Sequence, residues 1–92
     1  MPKRSAQRQK AEAQLDELRA RLDLLKARAR NMSADARIAT EEQVDLLERR
    51  LGQARSRLSG FAEVAEDTAE TLVDTVQSSW RELKREIDKL LR

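Results

Sequence analysis

The side chains that most often carry out catalysis or bind metals are either missing from this sequence or lack the partners they need. The chain has no Cys and no His, which excludes thiol nucleophiles, disulfides and Cys/His zinc sites. Four carboxylates lie close together in the sequence, at Glu41, Glu42, Asp45 and Glu48. A di-metal site in a helical bundle also needs Glu-x-x-His motifs on facing helices. We therefore expect no enzyme, no cofactor and no metal, and interpret these carboxylates as a solvent-exposed face.

The composition predicts long helices in a single domain. Of the 92 residues, 39% are charged and 2% are aromatic, with one Pro at position 2 and two Gly at positions 52 and 60. Such a composition is typical of coiled coils. No apolar run approaches the roughly 20 residues that a membrane span needs, and no signal-peptide stretch follows the basic start. We expect a cytoplasmic protein.

Apolar residues recur at alternating steps of three and four, which is the spacing of a coiled-coil seam. The seam comprises Ala11, Leu15, Leu18, Leu22, Leu25, Ala29, Met32 and Ala36, and it continues through Thr40, Val44, Leu47, Leu51, Ala54 and Leu58. No Gly or Pro interrupts residues 11–51, so we predict one helix from about residue 5 to 58, roughly 80 Å long. Residues 1–10 form a basic, frayed segment, and residues 11–92 a single helical domain.

The clearest helix break is Ser59-Gly60. Gly60 suits the left-handed position that often follows a helix end, and we predict a reversal there and a second helix from about 61 to 91. The predicted packing residues of this hairpin are Leu47, Leu51, Leu58, Phe61, Leu72, Val76, Trp80 and Leu83. The indole N–H of Trp80 needs a hydrogen-bond partner if it is buried.

The charge pattern supports this hairpin. Residues 49–57 carry four Arg and no acid, whereas residues 60–77 carry five acids and no base. An antiparallel fold at Gly60 gives opposing residues whose numbers add to about 120, and ion pairs flanking a seam fix its register. The pairs predicted on this basis are Arg57 with Glu63 and Arg50 with Glu70.

The hairpin leaves residues 1–29 without a partner. Their seam contains Leu15, Leu18, Leu22 and Leu25, and burying each leucine is worth roughly 1.5–3 kcal/mol. Either the segment folds back near Asn31 to give a three-helix bundle, or it pairs with another copy. We favour a dimer through these leucines because the turn chemistry near Asn31 is poor. The predicted fold is an all-α antiparallel hairpin completed by oligomerisation, and the three-helix bundle is the alternative.

Two binding surfaces are weaker candidates. The basic residues Lys3, Arg4, Arg8 and Lys10 suit phosphate contacts, but no aromatic or base-reading side chains accompany them, so we do not expect nucleic-acid binding. The helix at 61–91 is amphipathic and carries Trp80, as membrane-surface helices do. Its acidic first half opposes binding to anionic lipid.

Three sequence blocks together resemble a known family. They are Ala13–Leu18 with Leu22 and Leu25, then Ser33–Arg37 with Glu41–Gln43 and Leu46–Leu47, then Ser59–Gly60 with Ser79–Lys84. The chain resembles small bacterial coiled-coil proteins of a stress-response family over nearly its whole length. The resemblance implies a non-enzymatic, cytoplasmic structural or protein-binding protein, with no active-site residues. The alternative function is an amphipathic-helix protein that binds membranes or other apolar surfaces.

Overall fold

The computed structural model describes the backbone of residues 2–60 and 65–92, and the side chains of residues 6–60, 65 and 68–92. Over the residues described it contains three helices: α1 (Pro2–Ala29), α2 (Ala34–Ser59) and α3 (Glu66–Leu91). Each helix packs against the other two. The result is a three-helix bundle with extents of 50 × 17 × 16 Å. The all-α class is therefore confirmed, and the arrangement corresponds to the predicted alternative.

Ion pairs between the helices define an up-down-up topology. Helices α1 and α2 are antiparallel, because Asp16 pairs with Arg55 near one end and Lys26 pairs with Glu48 near the other. Helix α3 runs parallel to α1. The contacts that show this are Gln14 beside Trp80 in one groove, Arg21 with Asp88, and Arg28 with the Leu91 carbonyl. The three helices therefore share one central core.

The prediction of one continuous helix over residues 5–58 is wrong, because the chain turns between Ala29 and Ala34. The N–H groups of Asn31 and Met32 bond to carbonyls three residues earlier, at 3.1 Å each. These bonds tighten the last turn of α1, as is common where helices end. Ser33 then takes extended angles, with φ −60° and ψ 160°, at the position before α2.

This turn forms without Gly or Pro because it needs no unusual backbone conformation. No described residue has a positive φ, so every turn residue lies in a region that ordinary side chains adopt freely. Breaking the helix has a small cost in free energy, whereas burial of each of the four leucines contributes roughly 1.5–3 kcal/mol. Burial within the chain therefore outweighs the poor turn propensity of residues 30–33.

The helix break predicted at Ser59-Gly60 is confirmed, since α2 ends at Ser59. Gly60 itself differs from the prediction. Its angles are φ −83° and ψ −1°, in the right-handed region, and its N–H bonds to the Arg57 carbonyl at 3.3 Å. The start predicted for the second helix, near 61, lies outside the described residues. The next helix that the structure describes begins at Glu66.

The core is built from the predicted seams except at residues 32–40, where Ala36 is exposed and Met32 and Thr40 are only partly buried. Its buried members, all at most 5% exposed, are Ala11, Leu15, Leu18, Leu22, Leu25, Val44, Leu47, Leu51, Ala54, Leu58, Ala69, Val73, Val76, Leu83 and Ile87. Leu72 and Trp80 pack against this cluster while partly buried. Seven of the eight predicted hairpin-packing residues thus lie in or against the core. The eighth, Phe61, lies outside the described residues.

Candidate functional site

The four leucines predicted as an oligomer interface lie inside the bundle. Leu15, Leu18, Leu22 and Leu25 are each 1% exposed or less. They belong to the same core cluster as the buried residues of α2 and α3, because the chain folds back at 30–33. In the folded chain these leucines therefore have packing partners within the chain. An interface with a second copy through them stays a prediction.

The predicted pairing of Arg50 in α2 with Glu70 in α3 is wrong. Arg50 pairs with Glu86 at 2.5 Å rather than with Glu70. Among the described residues, neither Arg57 nor Glu70 makes an ion pair. Glu63 lies outside the described residues. The complementary charges of the two stretches therefore do not set the register.

The register of α3 follows from its packing against α1 as well as α2. Ser59, at the end of α2, lies in a groove with Arg8 and Leu15 of α1, so the first turns of α1 extend beyond α2. The first half of α3 lies alongside those turns, with Gln77 in one groove with Lys10. The predicted two-helix hairpin lacks α1 as a packing partner for α3. The pairing of α2 with α3 in the bundle therefore differs from the pairing that the hairpin predicts.

The outer face of α2 carries large apolar side chains that nothing in the described chain covers. Ile38 is 54% exposed and Leu46 is 50% exposed. Successive four-residue steps form one ridge on a helix surface, and Ala34, Ile38, Glu42 and Leu46 are exposed at such steps. We call these four residues the α2 ridge. The ridge spans about 18 Å, at 1.5 Å per residue.

Carboxylates without ion-pair partners flank the α2 ridge. In the first half of α2, Glu41 pairs with Arg37, and Glu48 pairs with Lys26 of α1. Three further carboxylates are exposed and make no ion pair with any described residue. These are Asp35, Glu42 and Asp45. The face therefore combines exposed aliphatic surface with uncompensated negative charge.

Sequence reasoning missed the α2 ridge because it followed only the buried seam. Ile38 and Leu46 lie off that seam, eight residues apart. The available signal was this apolar pair on a face that is otherwise charged. Leu24, on α1, is a third half-exposed apolar residue, at 46%.

A second site candidate is the groove between α1 and α3. Its lining residues are Lys10, Gln14, Gln77, Trp80 and Arg81, and its volume is about 180 Å³. The Gln14 Oε1 and the Trp80 Nε1 are both buried, and neither has a hydrogen-bond partner among the described residues. Trp80 is thus partly buried against the core, but the partner predicted for its indole N–H is not supplied by the described chain.

Further along the same groove the charges are fully paired. Arg21 donates to Asp88 at 2.7 Å and to Glu17 at 2.8 Å, and Lys84 donates to Asp88 at 3.2 Å. Desolvation alone would raise the pKa of Asp88. The hydrogen bond from Lys84 and the positive charges of Arg21 and Lys84 outweigh it, so the pKa of Asp88 lies below its ordinary value.

The basic N-terminal segment forms the first turns of α1, which begins at Pro2. Arg8 pairs with Glu12 at 3.0 Å, and Lys10 lies at the α1–α3 groove. The side chains of Lys3 and Arg4 lie outside the described residues. Of the two bases whose side chains are described, Arg8 lies in a groove with α2 and Lys10 lies in the groove with α3, so these two do not form one patch.

Metal sites, membrane spans and known relatives give no further assignment. No group of three or more acidic side chains in the described chain is placed to hold a metal ion. None of the helices, over the residues described, is long and apolar enough to cross a bilayer. No protein family, curated protein or solved structure matches the sequence.

Proposed function

We propose that this chain is a non-enzymatic protein-interaction module that presents the α2 ridge to a basic amphipathic segment of a partner protein. The observation that carries this proposal is the exposure of Ile38 and Leu46, at 54% and 50%, on a helix whose opposite face is buried from Val44 to Leu58. Exposed apolar side chains that share one face are typical of docking surfaces.

The flanking charges indicate the chemistry of the partner. Asp35, Glu42 and Asp45 have no cationic partner among the described residues. A partner helix with Lys or Arg beside its apolar residues satisfies both the ridge and these carboxylates. Such charges steer association and suppress wrong partners more than they add affinity. A helix laid along the ridge is one of the recurring modes of peptide recognition.

The size of the surface predicts a weak, transient contact. Stable interfaces bury about 800 Å² on each partner, whereas the ridge offers two half-exposed anchors. We therefore expect an affinity near the weak end of the range for protein–protein complexes. A contact of this kind suits reversible binding rather than permanent assembly.

Binding of a synthetic helix to the purified chain tests the proposal. The probe is a labelled peptide of about 18 residues with Leu on one face and Lys on the other, and its counterpart carries Glu in place of Lys. Fluorescence anisotropy should show binding of the Lys peptide only. Ile38→Ser and Leu46→Ser should each weaken binding about fivefold, since each loses roughly 1 kcal/mol of apolar contact.

Leu24→Ser provides the matched control, because Leu24 is 46% exposed but lies on α1. Its affinity for the Lys peptide should stay within about twofold of the parent chain. Equal weakening by Leu24→Ser and Ile38→Ser would mean that the peptide binds any exposed apolar residue. That result, or no binding at all, rejects the ridge as a docking surface.

Membrane binding, the other candidate, has less support. The apolar face of α3 includes Val73, Val76 and Ile87, which are at most 5% exposed. The helix must leave the bundle before that face can meet lipid. A stress-related role rests on the family resemblance alone and stays a prediction, as does self-association.

A further inference from the structure

We propose that the groove between α1 and α3 binds a small phosphate-bearing anion, with Trp80 and Gln14 at its floor and Lys10 and Arg81 at its rim. This site lies between helices other than α2, and it is independent of the docking proposal. Its argument begins with the two buried polar atoms that the described chain leaves without partners.

The floor of the groove offers one donor and one acceptor. The Trp80 indole N–H can only donate a hydrogen bond, and the Gln14 Oε1 can only accept one. Both atoms are buried and unpaired among the described residues, and the side chains that carry them line one cavity of about 180 Å³. Leaving buried polar atoms unsatisfied is costly. A bound group with both an acceptor and a hydroxyl donor satisfies them together.

The rim of the groove supplies positive charge without a competing carboxylate. Lys10 and Arg81 are exposed and make no ion pair with any described residue. Each of three other surface grooves includes at least one carboxylate, among them Asp16, Asp45 and Glu82. Uncompensated cations at the mouth of a partly enclosed groove concentrate anions.

Hydrogen phosphate fits this arrangement better than other common anions. Its oxygens accept from the Trp80 N–H and from both rim cations, and its P–OH donates to the Gln14 Oε1; in glycerol phosphate, whose phosphate is mainly a dianion at neutral pH, an alcohol hydroxyl is the donor. Sulfate carries no proton at neutral pH and leaves Gln14 unsatisfied. A carboxylate ligand is also unprotonated at neutral pH and likewise leaves Gln14 unsatisfied. The volume of about 180 Å³ holds one such anion with a few waters, each occupying about 30 Å³.

Trp80 is the only tryptophan in the chain, so its fluorescence reports directly on the groove. The titrants are inorganic phosphate, glycerol phosphate and sulfate, with ionic strength held constant by chloride. We expect a saturable change in Trp80 emission with inorganic phosphate or with the phosphate ester. Sulfate should bind at least about fivefold more weakly.

Variants separate a built site from general charge attraction. Arg81→Gln and Lys10→Gln should each weaken phosphate binding about tenfold, because each removes a charge-assisted hydrogen bond. Arg85→Gln removes the same charge one helical turn along α3, outside the cavity lining, and should change affinity less than about twofold. Gln14→Met keeps the side-chain length, and it should abolish the preference for phosphate over sulfate.

The two rim residues are exposed and lie on different helices, so replacing either one should leave the bundle folded, as circular dichroism will show. A non-saturating response to both phosphate compounds overturns the proposal. So does unchanged phosphate binding in both rim variants, or equal weakening by Arg81→Gln and Arg85→Gln.

Discussion

Replacing Leu22 with alanine tests whether the leucine seam lies inside a single chain. Leu22 is 0% exposed, in the middle of the α1 seam. Truncating a buried leucine to alanine typically costs about 2–5 kcal/mol, from lost burial and from the cavity left behind. At about 4–8 °C per kcal/mol for a domain of this size, the melting temperature should fall by at least about 8 °C.

The measurement is thermal and urea unfolding followed by circular dichroism, with Leu24→Ala as the matched control. Leu24 lies two residues further along α1 and is 46% exposed, so its truncation should cost less than about 0.5 kcal/mol. The melting temperature of the parent chain should not depend on protein concentration, because only stability that depends on association is concentration-dependent. Equal losses at Leu22 and Leu24, or a melting temperature that rises with concentration, would refute the intrachain seam.

Three further predictions concern single positions. Gly52→Ala should raise the free energy of unfolding by about 1 kcal/mol in urea titrations, because an added Cβ meets no atom within 4 Å; a loss of stability would show that this glycine is needed. The lowered pKa of Asp88 means that its ionised form stabilises the bundle above its unfolded-state pKa of about 3.9, and this contribution is lost as the pH falls through the folded-state pKa. Asp88→Asn should therefore be destabilising at pH 7 and neutral well below pH 3, and an equal effect at both pH values would contradict the assignment. Trp80→Phe removes a buried donor that lacks a partner together with ring atoms that pack against the core, so in phosphate-free buffer it should cost about 1–2 kcal/mol of lost packing; a loss well above that in urea titrations would mean that the indole N–H is also satisfied in solution.

The periodicity of the sequence identified most of the core, but it also placed Ala36 in the seam, and Ala36 is exposed. Residues such as Leu15, Leu47 and Val76 were placed on the packed faces by their three- and four-residue spacing alone, and all three are buried. The helix end at Ser59 was also predictable, because the following glycine weakens the helix there. Both the buried face of a helix and the end of a helix depend on residues that are close in the sequence, so the sequence pattern predicts them.

The turn at residues 30–33 was not predictable from residue types. Its conformation needs neither glycine nor a positive φ, so it leaves little signal in the sequence. What selects it is the burial of α1 against α2 and α3, which is a property of the whole chain. The free-energy cost of leaving four leucines exposed was the better guide, because it requires them to be buried. A dimer buries them as well as a turn within the chain does, so this cost alone did not distinguish the two.

The pairing of charges and the candidate sites depended on the third helix. Once α1 folds back, Arg50 reaches Glu86 and Arg21 reaches Asp88, and neither pair follows from a two-helix hairpin. The groove containing Gln14 and Trp80 exists only because α1 and α3 are parallel neighbours. Sequence reasoning therefore identified Trp80 as a packing residue but could not identify what lies beside it.

Small-angle X-ray scattering on an absolute scale tests the central claim most directly, because it reports mass and shape together. A single-chain three-helix bundle predicts a mass near 10.6 kDa and a radius of gyration close to 15.1 Å. A particle of twice that mass, or a rod with a helix roughly 80 Å long, would contradict the account and restore the hairpin that pairs through its leucine seam.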